Sequence, residues 1–261
     1  MNQHLSSVWT RESRPAKSPG LSRDQIVRAA MGLLDAEGLD ALSMRRLGAR
    51  LGSGATSIYW HVANKDELLE LVMDEVLGEV PLPDPDVVGW RDAASVFAYG
   101  LRTALFAHPW AASLIGARAA LGPNAVEMSA RLLRTFTLAG FKGLEQDYAS
   151  SALMSYVLGA TTPELTWRRM TNDGEMNGQE LLAALRPMVE QAARDHPELA
   201  ARYSEYYGAE VDIETVRLLC FDFGLTCFLD GLQERLRQAA MEPGATRFGT
   251  EIPHEARNSE I

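Results

Sequence analysis

The sequence lacks most of what would mark a secreted, metal-binding or membrane protein. It has two cysteines, Cys220 and Cys227. Seven positions apart on one helix, they stand about 10 Å apart along its axis, beyond the reach of a disulfide. Neither belongs to a CxxC pair, and His4, His61, His108, His196 and His254 show no HxxxH or HExxH spacing, so no metal site and no cofactor is expected. No run of eighteen apolar residues occurs, and the first twenty residues lack the apolar stretch of a signal peptide. A soluble, cytoplasmic chain with no membrane partner is expected. GxSxG, GxGxxG and P-loop motifs are missing as well, and no nucleophile–base constellation replaces them.

Negative charge is abundant and positive charge is scarce, but the balance is uneven. The net charge of the chain is −10. Residues 1–65 carry nine Lys or Arg against five Asp or Glu, and residues 66–261 carry sixteen against thirty. A basic head on an acidic body suggests that only the head meets a polyanion.

Strand-like alternation is absent, and helical spacing runs through nearly the whole chain, which predicts an all-α fold. With 261 residues and 46% hydrophobic content there is ample material for a core. Residues 1–20 are rich in Ser, Pro and Arg and read as a disordered arm, in which Arg11, Arg14 and Lys17 form a basic tail or reach the minor groove. Ser22 and Gln25 make a capping box for a first helix that Gly38 stops. Ser43 caps a second helix, which buries Met44, Leu47 and Leu51 and ends at Gly52. A short third helix is expected over 55–62, and Asn64 caps a fourth whose first turn holds Asp66 and Glu67. Pro81, Pro83 and Pro85 mark a boundary between domains at 21–80 and 86–240. Further helices are expected near 88–107, 122–140, 144–169, 178–194, 197–207 and 211–238, with a short piece after Pro109 and a disordered tail over 241–261.

The third helix carries the chemistry. At 100° per residue, Ala55, Ile58 and Val62 share a narrow sector, Thr56, Ser57 and Trp60 fall opposite, and Tyr59 and His61 flank them. Two short helices joined by a Gly-containing turn form a helix-turn-helix, whose second member enters the DNA major groove. Hydroxyls on Thr56, Ser57 and Tyr59 suit phosphates or base edges, and exposed Tyr59 or Trp60 suits thymine methyls and the sugar wall.

Residues 21–80 resemble the DNA-binding domain of the TetR family of transcriptional repressors, close to its tetracycline repressor subgroup. The capped first helix, LSMRRLGARLG (Leu42–Gly52) and IYWHVANKDELL (Ile58–Leu69) carry the resemblance. It implies a base or phosphate contact for Arg45, a DNA face made of Ser57, Tyr59, Trp60 and His61, and a phosphate held by Lys65. With Ser43 and Thr56 these are the candidate contacts to double-stranded operator DNA. The subgroup often opens its recognition helix with longer polar or proline side chains, where this chain has Gly54, Ala55 and Thr56, so base readout is thinner and the operator sequence does not transfer.

Beyond Pro85, FDFGLTCFLDGL (Phe221–Leu232) resembles the family's dimerisation helix. Cys220, Gly224, Cys227 and Gly231 form a stripe of small residues there, matched by Ala152, Ser155 and Gly159 on an earlier helix. Such stripes permit close helix approach, and the resemblance implies a homodimer with a four-helix interface on a palindromic operator. It also implies a small-molecule cavity among the middle helices, with Gly100, Leu101, Trp110, Leu114, Arg118, Leu132, Phe136 and Met154 as candidate lining. If Gly116, Ala117 and Arg118 align with the subgroup's run, Leu114 stands where that subgroup has a magnesium-binding histidine, so a largely apolar, aromatic or polyketide-like effector is expected instead of a metal–tetracycline complex. The expected activity is that of a dimeric repressor released by this effector. A helical enzyme using the cavity, and a co-regulator without sequence-specific DNA binding, are the competing readings.

Overall fold

The first helix, α1 (Arg23–Glu37), begins at the capping box expected of it. Ser22 Oγ accepts from the Gln25 amide at 3.1 Å, and Gln25 Oε1 accepts from the Ser22 amide at 2.8 Å. Gly38 ends the helix at φ +76°, a conformation costly for any side chain with a Cβ. A 3-10 turn at Leu39–Ala41 leads to α2 (Met44–Arg50), where Ser43 Oγ accepts from the Arg46 amide. The third helix, α3 (Ala55–Tyr59), has only five regular residues and is shorter than the expected 55–62. Asn64 caps α4 (Lys65–Gly78) by accepting from the Glu67 amide at 2.8 Å, and Glu67 in return accepts from the Ala63 amide at 2.7 Å.

This computed structural model describes residues 7–9, 21–117, 120–172, 177–208 and 213–241. Most of the expected arm with its basic residues, Arg118, and the tail from 242 onward lie outside the described residues. Ser7 to Trp9 depart from the expected arm. Val8 is buried in the core, and both Ser7 Oγ and the Val8 amide donate to Glu70 Oε2 on α4, at 2.5 and 3.1 Å.

The proline-rich boundary contains an unforeseen single turn, α5 (Pro85–Val88), with Asp84 as its cap and Pro85 in its first position. The body continues with α6 (Trp90–Ala107), a 3-10 turn at Pro109–Ser113, α7 (Pro123–Ala139), α8 (Leu144–Asn172), α9 (Gly178–Ala192), α10 (Pro197–Gly208) and α11 (Ile213–Met241). Among the described residues there is no strand, and no helix is long and apolar enough to cross a membrane.

Head and body share one hydrophobic core, which runs from Ile26 and Leu47 through Val72 and Val76 to Phe97, Phe136 and Phe221. Helix α4 is the bridge. Its buried residues include Leu68, Leu69, Leu71, Val72, Met73, Val76 and Leu77, positions that cover several faces of the helix. The buried carboxylate of Asp74 on α4 accepts from the Ala125 amide at 2.9 Å and the Asn124 amide at 3.3 Å, while Asn124 Nδ2 donates to the Asp74 carbonyl at 3.0 Å. Asp74 thus caps the N-terminus of α7, whose own N-cap, Gly122, has no side chain to do so. A Cβ at Gly122 would fall 2.2 Å from the Asp74 carboxyl. Replacing Asp74 by alanine, which orphans these buried amides, is expected to cost about 2 kcal/mol, and Asp74→Asn about half as much, measured by chemical denaturation.

Candidate nucleic-acid interface and regulatory body

Helix α3 and the residues that follow it to Val62 divide as their sequence indicates. Ile58 and Val62 are fully buried, Thr56 is exposed, Trp60 is 61% and Tyr59 46% exposed, and Ser57 and His61 are half-buried. Five helical residues form too few hydrogen bonds to be stable alone, so the buried pair fixes this helix to the core and sets the direction of its outer face. Large aromatics left in water on a small domain mark a surface built for a partner.

Around this face the polar groups are only partly free. Arg45 is exposed and pairs with no described residue, and the Ser43 hydroxyl, although it caps α2, keeps its own proton to donate. Arg46 is tied inside the head, to Glu37 at 2.6 Å and the Ala41 carbonyl at 3.3 Å. Lys65 Nζ donates to the Leu39 carbonyl at 3.1 Å, so one of its three protons is engaged at the first residue of the 3-10 turn.

In the body, Leu101, Trp110, Leu114, Leu132 and Phe136 are buried together, and Met154 packs against them half-buried. Gly100 does not belong with this group. A Cβ there would lie 2.2 Å from Pro81 Cδ, so Gly100 is the site where the interdomain linker crosses α6. Trp110 is partly committed too, since its indole Nε1 donates to Asp35 on α1 at 2.7 Å.

The interior is also more polar than the sequence suggested. Arg102 Nη2 donates to both oxygens of Glu164 at 2.8 and 2.9 Å, with 13% and 4% of the two side chains exposed. Its guanidinium lies over the rings of Phe106 and Phe221, 4.6 and 5.1 Å from their centroids. Arg102 Nε and the wholly buried Thr161 hydroxyl have no partner among the described residues. Nearby, Tyr99 donates to Asp222, and burial together with that bond pushes the Tyr99 phenol up to about 12. None of these pairs follows a short-range pattern, and sequence reasoning missed them all.

Helices α8 and α11 lie side by side and leave one face uncovered. Ala152, Ser155 and Gly159 are exposed on α8, and Cys220, Cys227 and Gly231 on α11, where Leu219 and Phe223 are 58% and 74% exposed. Gly224 departs from the expected stripe. A Cβ there would lie 2.6 Å from Tyr156 Oη, which itself donates to the Phe221 carbonyl at 2.5 Å. Gly224 therefore serves a contact within the chain.

Fold and site together define a helix-turn-helix regulator of transcription. The model of the bacterial regulatory proteins of the tetR family matches residues 26–72, and that of the tetracyclin repressor-like C-terminal domain matches residues 82–236. An HTH-type transcriptional regulator of Saccharopolyspora erythraea is 38% identical over 76% of this chain and 81% of its own. The HTH-type transcriptional repressor DrrR1 of Streptomyces coeruleorubidus is 32% identical over 90% and 86%. Among solved structures, ActR of Streptomyces coelicolor in complex with actinorhodin matches with TM-score 0.69 and 31% identity, over 84% of this chain and 99% of that one. The chain belongs to the TetR family of ligand-responsive, DNA-binding transcriptional regulators, and it is not an enzyme.

The two faces of α3 should separate cleanly in stability measurements. Ile58→Ala is expected to cost about 2–4 kcal/mol through the cavity it leaves, whereas Trp60→Ala should change the unfolding free energy by less than about 0.5 kcal/mol.

Proposed function

We propose that the chain is a homodimeric repressor that holds a palindromic operator with one α3 helix of each copy in successive major grooves, and that a largely apolar, aromatic effector releases it in the cytoplasm. The observation that carries this reading is the outward face of α3, where Trp60, Tyr59 and Thr56 stand in water while Ile58 and Val62 anchor the helix. Ser57, Tyr59, Trp60 and His61 touch bases and sugars. Ser43 and Arg45 meet the backbone, and the two remaining protons of Lys65 hold a phosphate. The uncovered face of α8 and α11 supports the dimer, which would set the heads about 34–36 Å apart.

The effector reading draws on the apolar and aromatic residues buried in the body, among them Leu101, Leu132 and Phe136, and on the likeness to a protein solved with actinorhodin. The buried Arg102–Glu164 pair, beside the Phe106 and Phe221 rings, adds polarity to the body. Release needs the body to favour a second head spacing. A hundredfold loss of operator affinity corresponds to about 2.7 kcal/mol of coupling, within the usual allosteric range.

Selection of DNA from a random pool followed by gel-shift titration tests the head. Trp60→Ala and Tyr59→Ala are each expected to weaken operator binding at least tenfold, about 1.4 kcal/mol, and Lys65→Ala should lower the salt slope by about 0.9. Equal binding by both aromatic variants would sink this assignment. For the dimer, Phe223→Asp is expected to yield a folded monomer in sedimentation, because it places a charge in the centre of the apolar face.

A further inference from the structure

Helix α6 ends on His108, whose imidazole lies between two carboxylates from distant parts of the chain. Its Nδ1 is 2.7 Å from Oδ1 of Asp35 on α1, and its Nε2 is 3.1 Å from Oε2 of Glu79, the residue that closes α4. Two positions further on, Trp110 donates its indole N–H to the same Asp35 oxygen at 2.7 Å. The His108 side chain is only 11% exposed. The charged groups that face it are Asp35 from the head and Glu79 from the end of α4. The Pro109–Ser113 turn has no charged residue, and among the described residues no side chain of α8 pairs with the ring.

The number of protons decides what this arrangement can do. An ionised carboxylate only accepts, and a neutral imidazole has a single N–H. With a carboxylate oxygen at each ring nitrogen, a neutral ring makes one hydrogen bond and turns a lone pair toward the other oxygen. Both contacts are complete only when the ring carries two N–H groups. We propose that His108 is a proton-linked positioning residue through which the body holds the head by α1, as a second route beside α4.

The route is direct. Trp110 and Leu114, candidate effector contacts, lie on or beside the turn that follows His108, so any displacement of that turn pulls on Asp35 and hence on α1. Helix α1 carries Ile26, Ala30, Leu33 and Leu34 in the core on which α2, α3 and α4 also pack. When the ring gives up its second proton, one of the two carboxylate contacts is lost. The head is then held at this corner by the Trp110 indole and a single imidazole bond. The proposal rests on the regulator reading in one respect: the position of the head matters to function only if the head binds DNA.

Hydrogen exchange of the full-length chain, read by mass spectrometry and corrected for the intrinsic pH dependence of exchange, tests the proton link without DNA or effector. Peptides over 28–37 and 108–115 are expected to exchange about tenfold faster at pH 8 than at pH 6, by about 1.4 kcal/mol of protection. In His108→Gln, whose amide does not titrate, that difference should vanish. Asp35→Asn, which keeps an acceptor for the Trp110 indole and removes one charge, repeats the test should the glutamine variant fail to fold. A wild type without the pH effect, or a variant that keeps it, overturns the proton link. Titration of the selected operator then tests transmission. Between pH 6 and 8 the wild-type affinity should change at least threefold more than that of His108→Gln, which retains every other titratable group. Equal changes in the two proteins beside pH-dependent exchange overturn the α1 route. If no operator is bound at all, the regulator reading fails, and exchange alone decides the clasp.

Discussion

Asp74 places a carboxylate from α4 on the open amides of α7, and through that contact the DNA-binding head is fixed to its body. The bond is strong because its environment is dry and because the N-terminus of a helix carries partial positive charge. It also restricts motion. Gly122 and Gly78 leave no room for even a methyl group between the two helices, since a Cβ at Gly78 would lie 2.7 Å from Asn124 Nδ2. Any tilt of α4 that keeps this cap must turn about Asp74. The far end of the helix at Lys65 lies nine residues away, about 13 Å at the usual rise, so a small rotation in the body becomes a displacement of the head.

At the other end of α4 the head is organised by expenditure of charge. Lys65 gives a proton to Leu39 and Arg46 its guanidinium to Glu37, so two cations of a basic domain are engaged in holding the turn before α2 in place. Arg45 and the aromatic face of α3 remain outward. A five-residue helix has little rigidity of its own, and the complete burial of Ile58 and Val62 gives it a fixed direction. The body contributes the opposite field. Its excess of carboxylates keeps a polyanion away from the rest of the surface and leaves the head as the favourable place of contact.

Features governed by neighbours within four residues were legible in the sequence. The capping residues Ser22, Ser43 and Asn64 all form the hydrogen bonds their positions imply, and the helices beginning at Pro123 and Leu144 start within a residue of expectation. The division of α3 into a buried and an exposed side followed from its 100° period. Errors arose where a residue's role depends on what lies across from it. Gly224 fitted a stripe of small residues by spacing, yet it faces Tyr156 of its own chain. Gly100 looked like a pocket residue because it sits on the correct helix, and it proved to be where Pro81 crosses. Ser7 and Val8 looked like part of a polar arm, and they dock on Glu70.

By itself, the sequence determined the all-helical class, the approximate positions of most helices, the caps Ser22, Ser43 and Asn64, and the family, because helix signals act over one turn and the motif residues are contiguous. The tertiary structure alone decided which polar groups meet. Asp35 and His108 are 73 residues apart, Arg102 and Glu164 are 62 apart, and Asp74 and Ala125 are 51 apart. Periodicity reports which face of a helix is apolar. It holds no information on which neighbour that face will meet, and the contacts that join head to body are of the second kind.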